Sequence, residues 1–579
     1  MTEGRTRIFS GGPILTMRRD VPRAEAVAIR GDRIVAVGEL GMARQCTPDA
    51  EQVDLAGACL LPGFIDAHHH LSDGAFFSAA ADLRWPAVDR VDNMLATLAR
   101  LAERVPAGRW LLGQGYSEAY LEERRGPTLE ELDRACPEHP VLLMQYSYHE
   151  ATVNSRAFER VGLALDAADP PGGEIVRDRR GRPTGRMIEN AVAPFFVSAI
   201  AETMDAGEEE YFERLERYQA HCFAAGLTRV YDPAVSPRME RALRKAAERG
   251  LLRIGVLMML ASGDGMFLPP RDRIGSSRTG DGVDPLRTGP LKLFMDGGER
   301  AAVSLSLAQV ARAAGNSTWR ALRRLSLSPL RTAAMFPMRF DPSDFRVRSG
   351  ILFYEEDEAR RLAEEAMAAG LSVAVHAEGN EAIERTLRAL PPTPSERPPG
   401  VGPNRIEHFF FPRPGYIGRA VDAGFAVAAQ PAIVAWVGDR LLDLGVARMV
   451  PFTPLRDMLD AGMTVAGSSD APVVDFDPLA AIRIAVTRET TRGERLDDGQ
   501  EVRVEEALEM YTVHAARAGG LDHEVGTLEA GKRADLVVLN RDPTRLDATA
   551  LADLRVERTV CGGDDVFVAE ACTAPATGP

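Results

Sequence analysis

The stretch Ala369-Gly370-Leu371-Ser372-Val373-Ala374-Val375-His376 carries the architecture in miniature. A helical segment ends at Gly370, a short apolar strand follows almost at once, and the strand closes on a histidine. Glycine fits the left-handed position just past a helix, and a strand apolar on both sides suits a buried parallel sheet. The unit recurs at Ala225-Gly226 into Leu227-Thr228-Arg229-Val230 and at Arg249-Gly250 into Ile254-Gly255-Val256-Leu257. It appears again at Ala423-Gly424 into Ala426-Val427-Ala428 and at Ala461-Gly462 into Thr464-Val465-Ala466. Repetition of this unit predicts βα architecture, which a doubly wound sheet and a closed barrel both use.

The strand ends favour the barrel. His376 follows Val373-Ala374-Val375, His408 closes Asn404-Arg405-Ile406-Glu407, and Asp470 follows Val465-Ala466-Gly467-Ser468-Ser469. Polar groups converging from the ends of several different strands are the mark of a (β/α)8 TIM-type barrel. Residues 61–523 are therefore read as the barrel.

Outside it the texture changes. Short alternating runs such as Ala26-Val27-Ala28-Ile29 and Arg33-Ile34-Val35-Ala36-Val37 read as a meander of strands. Ala534-Asp535-Leu536-Val537-Val538-Leu539 and Val556 to Val560 have the same character at the far end. Residues 1–60 and 524–570 are predicted to form one small β-sandwich domain together. Residues 82–190 lack the repeat and carry loop signals such as Asp169-Pro170-Pro171-Gly172-Gly173, so part of this span is read as an inserted lid subdomain. Residues 300–348 are read as an extra loop region, with nine Arg against two Asp and the apolar cluster Met335-Phe336-Pro337-Met338. A short frayed tail is expected near Thr573-Ala574-Pro575-Ala576.

With 579 residues, 45% of them hydrophobic, the chain can fill a large core. A net charge of −15 disfavours nucleic acid and anionic membrane surfaces as partners. The N-terminal MTEGRTRIFSGG has no charged start leading into an apolar stretch, and no long apolar run follows elsewhere, so a soluble cytoplasmic protein is expected. The six cysteines are scattered without C-x-x-C spacing, which argues against a disulfide framework or a cysteine zinc site. The expected partner is a small-molecule substrate, and a homo-oligomer is compatible with this composition.

The chemistry centres on Phe64-Ile65-Asp66-Ala67-His68-His69-His70. In a strand, residues two apart share a face, so His68 and His70 are expected to point one way and His69 the other. Two imidazoles can then reach one metal. His376 and His408 would add neutral nitrogen ligands and Asp470 a carboxylate. A single histidine usually has a structural role, but four of the chain's ten fall at these positions. Lys292, inside Leu291-Lys292-Leu293-Phe294, is a lone cation in an apolar strand. Burying an unpaired ammonium is costly or forces loss of its charge. Either it pairs with an acid such as Asp296, or the neutral amine takes up carbon dioxide and becomes a carbamate that bridges two metals.

These residues resemble the amidohydrolase superfamily, and within it the amidohydrolase-3 subgroup of the formamide-deformylase type. The matching pieces include Leu61-Pro62-Gly63-Phe64-Ile65-Asp66-Ala67-His68-His69-His70, Val153-Asn154-Ser155 after His149, and Arg182-Pro183-Thr184-Gly185. Others are Leu291-Lys292-Leu293, Arg405-Ile406-Glu407-His408, Gly467-Ser468-Ser469-Asp470-Ala471-Pro472 and Gly526-Thr527-Leu528-Glu529-Ala530-Gly531-Lys532-Arg533-Ala534-Asp535. The resemblance implies a (β/α)8 barrel flanked by a β-sandwich. It implies metal ligands at His68, His70, Lys292, His376, His408 and Asp470, and a His149 placed over the substrate. Two departures stand out: His376-Ala377-Glu378-Gly379-Asn380 lacks a carboxylate at its end, and residues 300–348 are long for the subgroup.

The expected cofactor is a divalent metal, zinc by donor chemistry, as one or two ions with Lys292 carboxylated. Such a metal lowers the pKa of its water toward about 7 and polarises a carbonyl. The predicted reaction is hydrolysis of a non-peptide carbon–nitrogen bond in an N-acyl, N-formyl or cyclic amide. Asp470 acts as general base and then acid, and His149 stabilises the oxyanion. Arg488 is a candidate for binding an acidic substrate group, with a surface or ion-pair role as its alternative. Rival readings are a metal-dependent ester hydrolase, lyase or isomerase on the same scaffold, and a non-catalytic binding protein.

Overall fold

The computed structural model describes residues 5–298, 300–327, 330, 338–445, 451–496 and 499–570. The cluster residues Met335, Phe336 and Pro337, together with the tail near Thr573–Ala576, lie outside the described residues.

Eight parallel strands form the centre: β1 (Phe64–Asp66), β2 (Leu227–Val235), β3 (Gly255–Leu260), β4 (Leu286–Phe294), β5 (Val373–Ala377), β6 (Arg405–His408), β7 (Ala426–Ala429) and β8 (Val465–Gly467). They neighbour one another in sequence order. The two edges meet, with the Ala67 N–H donating to Gly467 at 3.1 Å and the Asp470 N–H donating to His68 at 2.7 Å. The fold is therefore an α/β barrel of the TIM type, as the strand ends predict. The glycines of the five repeated units, Gly226, Gly250, Gly370, Gly424 and Gly462, all have φ between +69° and +88°, the conformation that lets a helix stop and its strand begin.

Small residues line much of the barrel interior. Ala374, Ala428 and Ala466 pack with Tyr231 and with Ala515 and Ala518 from the segment that closes the floor. The Tyr231 hydroxyl donates to the Ala515 carbonyl at 2.8 Å.

Both chain ends build one eight-stranded sheet. Cys59–Pro62 pairs antiparallel with Leu536–Leu539, with Leu61 opposite Val537, and Ile14 pairs with Leu60. Phe9, Ile29, Leu60, Leu536 and Val560 share its buried core. No helix of the described residues is long and apolar enough to cross a membrane.

Between β1 and β2 stands a six-stranded sheet spanning Ala81 to Glu189. Three of its strands, Ala81–Asp82, Leu111–Tyr116 and Val141–Gln145, run parallel with helices Val91–Ala102 and Leu129–Ala135 between them. The insert thus contains βα units that the sequence does not advertise. Its first strand has only two residues, and neither helix hands over to its strand through an immediate glycine.

Residues 300–348 also differ from the expected loop. Val303–Ser306, Arg339–Asp341 and Arg346–Ser349 form a small sheet, and Leu307–Arg324 is a helix capped by Ser306 and Gln309. Many of the arginines anchor the segment. Arg320 and Arg324 pair with Asp443 and Glu494, and Arg348 pairs with Asp341, Asp344 and Glu381.

Candidate metal centre

One narrow cleft at the C-terminal mouth of the barrel is lined by His68, His70, His149, His376, His408 and Asp470. The strand β1 stops at Asp66, so the pleat is not what aims His68 and His70. Instead Asp66 clamps the loop. It accepts the His68 N–H at 3.2 Å, the Ser469 N–H at 3.0 Å and the Ser469 hydroxyl at 2.6 Å. The two rings end with centroids 5.6 Å apart, and both Nε2 atoms lie close to Asp470 Oδ1, at 3.4 and 3.3 Å. His69 turns away, against Tyr218 and Phe476.

The far side is made by His376 and His408, whose ring centroids are 4.5 Å apart. His408 lies 4.9 Å from His68. One potential ligand atom each from His68, His408 and Asp470 falls within 4.8 Å of the others, and the same holds for His376, Glu378 and His408. Asn380 stands apart from this cluster, its amide joined to the Ser304 backbone in both directions. The carboxylate missing at 380 has a counterpart in Glu378, 3.9 Å from His376 Nε2. His408 and Asp470 have φ of +75° and +64°, a region that side chains with a Cβ seldom occupy and that clusters at functional sites.

The donor set fits a metal. His376 Nε2 and Lys292 Nζ are buried and, among the described residues, have no hydrogen-bond partner. Leaving such nitrogens unpaired in the interior costs free energy that an ion can offset. The ring nitrogens facing outward are engaged: His68 Nδ1 meets Glu407 at 2.5 Å and His408 Nδ1 meets Gln430 at 3.0 Å. Fixing Nδ1 in this way leaves Nε2 free to ligate. Burial pushes the His68 imidazolium down to about 4 and His408 to about 3, so both are neutral at pH 7. At Asp470 burial works against ionisation, yet the hydrogen bond to His70 and the neighbouring His68 and His408 hold its carboxyl well below the usual range.

Lys292 is 1% exposed. The Asp296 pairing open to it is not formed, because the Asp296 carboxylate accepts the backbone N–H groups of Ala302, Glu378 and Glu378's neighbour Gly379. Burial lowers the Lys292 pKa to about 8, against the pull of Glu407 and Asp470.

His149 comes from the hairpin of the inserted sheet and covers the cleft. Its ring stacks on Phe267 at 4.8 Å and lies 5.3 Å from His376. Nδ1 meets Glu189 at 2.6 Å. Burial opposes the charge on His149, but Glu189 outweighs it and raises its pKa.

Arg488 is not at the surface and is not among the cleft-lining residues. It is fully buried and donates to the Phe452 carbonyl at 2.7 Å, so it anchors backbone. Glu407, Glu189, Asp66 and Gln430 are site residues that sequence reading passes over. Two of them stand inside the sequence motifs: Asp66 in the run Phe64–His70, and Glu407 opposite in charge to Arg405 within the strand Arg405-Ile406-Glu407-His408.

Similarity to known proteins extends over most of the chain. The amidohydrolase family model matches residues 51–567. The N-substituted formamide deformylase of Arthrobacter pascens is 31% identical over 97% of this chain and 98% of its own length. The protein YtcJ of Bacillus subtilis is 29% identical over 97% of this chain and 99% of its own. The solved structure of an uncharacterized metal-dependent hydrolase from Pyrococcus horikoshii superposes with a TM-score of 0.69 at 23% identity, covering 94% of this chain and 99% of that one. The chain belongs to the amidohydrolase family.

Proposed function

We propose that the chain hydrolyses a non-peptide carbon–nitrogen bond in an N-acyl, N-formyl or cyclic amide. The observation that carries this reading is the convergence of five histidines and Asp470 in one cleft, with the buried nitrogens of His376 and Lys292 left without hydrogen-bond partners among the described residues. The nature of the relative named as a deformylase agrees with it.

His68, His70 and Asp470 would hold one divalent ion, and His376 and His408 a second. Nitrogen and carboxylate donors of this kind suit zinc. Lys292, as its carbamate, would join the two. Such an ion activates water and polarises the scissile carbonyl. Asp470 is ionised at neutral pH, so it accepts the proton of the attacking water and delivers it to the leaving nitrogen, which departs poorly until protonated. His149, whose pKa Glu189 raises, donates to the oxygen that gains negative charge. The substrate is a small molecule.

A panel of N-formyl, N-acyl and cyclic amides beside matched esters, run on metal-loaded protein, tests the reading. Amine release without ester cleavage is expected. Cleavage of esters alone overturns it in favour of an ester hydrolase.

A further inference from the structure

A second cavity, of about 280 Å³, lies beside the metal cleft, and its wall is almost entirely hydrocarbon. Phe410 and Leu441 come from the barrel side, and Leu305 and Val310 come from the segment after β4. Leu305, Val310 and Val437 are only half-buried, so they offer apolar surface to the cavity. Bordering polar groups are engaged elsewhere: Asn380 with the Ser304 backbone, and Arg440 with the Tyr146 hydroxyl at 2.5 Å.

Three contacts make this wall continuous with the metal centre. Gly298 lines the cavity and its backbone nitrogen lies 3.0 Å from His149 Nδ1. The Phe410 ring lies 5.3 Å from His408. The Glu378 carboxylate lies 3.9 Å from His376.

We propose that the cavity receives an uncharged apolar substituent, alkyl or aryl, attached next to the scissile carbon–nitrogen bond. This rests on the reading of the chain as a carbon–nitrogen hydrolase. A dry cavity of about 150 Å³ already accepts benzene, so the space accommodates a phenyl or hexyl group. A charged substituent would lose its hydration against this hydrocarbon wall, whose charged members Arg440 and Glu378 already face Tyr146 and His376. The segment Val303–Arg324 thereby selects the substrate by supplying the outer wall.

N-alkyl methanesulfonamides test this, because they present an N–H and an alkyl group but no carbonyl to hydrolyse. Calorimetry on metal-loaded protein should show affinity tightening about fourfold per methylene from ethyl to hexyl, the fold-change equivalent to burying one methylene. A terminal carboxylate on the chain should abolish the gain. Leu305→Trp, and independently Val310→Trp on the neighbouring helix, should flatten the series while the melting temperature shows a folded protein. A flat series in the unmodified protein, or an unchanged slope in both folded variants, overturns the proposal. The amide panel is scored separately: a steep series without turnover of any amide leaves the cavity standing and removes the hydrolase reading, whereas turnover with a flat series does the reverse.

Discussion

Glu407 reaches across the mouth of the barrel to His68, its carboxylate 2.5 Å from Nδ1, while Arg405 grips the same carboxylate at 2.8 Å from two nitrogens. All three side chains are buried. One strand therefore supplies both a proposed ligand, His408, and the group that orients another, His68, in the loop after β1. Glu407→Gln keeps the shape but removes the charge that holds the His68 tautomer. Metal affinity should fall about 10- to 100-fold, read by competition with a chromophoric chelator. Unchanged affinity would mean that Glu407 serves packing alone.

His149 and Glu189 give a pH-dependent prediction. Glu189 raises the His149 pKa, so the charged donor persists to higher pH with Glu189 than without it. In Glu189→Gln the basic limb of the kcat profile should move to lower pH. His149→Ala should lower kcat by about 10²- to 10³-fold, the usual loss on removing an oxyanion donor. A basic limb that stays in place when Glu189 is neutralised argues against this role.

Lys292 gives one on stability. Its folded pKa of about 8 lies below the ordinary lysine value of 10.5, so the unfolded chain binds more protons between these values and metal-free stability rises with pH across that window. The penalty on the charged amine is fully present below about pH 8. Lys292→Met should therefore stabilise the metal-free protein at pH 7 by up to a few kcal/mol, with the difference shrinking between pH 8 and 10.5, as followed by urea unfolding. The same variant should lose bound metal. A Lys292→Ala protein that keeps two metals and full activity would remove the carbamate.

Asp284 tests the frame that carries the site. It accepts from Arg229 at 2.9 and 3.1 Å and from Arg287 at 3.1 Å, and pairs with Arg533 at 3.0 Å, tying β2 and β4 to the C-terminal segment. Burial opposes its charge, but these arginines hold its pKa well below the ordinary aspartate value of 3.8. Its stabilisation is present above about pH 4 and fades as pH drops further. Asp284→Asn should cost about 3–5 kcal/mol at pH 7 and progressively less below pH 4 in denaturant titrations.

The barrel was legible where a glycine closes a helix and an apolar strand follows, as at Gly370 into Val373 and Gly424 into Ala426. It was less so at β1, three residues long, and in the insert, where the strands are short or the linkers lack the glycine. The ligand candidates could be read because they sit at strand ends. Their supports could not, since Glu407 to His68 spans 339 positions and Glu189 to His149 spans 40, and such contacts exist only once the barrel closes. The pleat argument placed His68 and His70 together, while the Asp66 clamp is what holds them there.

The most direct test is amine release from an N-formyl or N-acyl amide before chelation, after chelation and after return of zinc or manganese. The account predicts release that disappears with the metal, returns with it, and stays below one-hundredth of that level, roughly, in Asp470→Asn. Undiminished release from metal-free protein, or no metal binding to protein bearing His68, His70, His376 and His408, would contradict it.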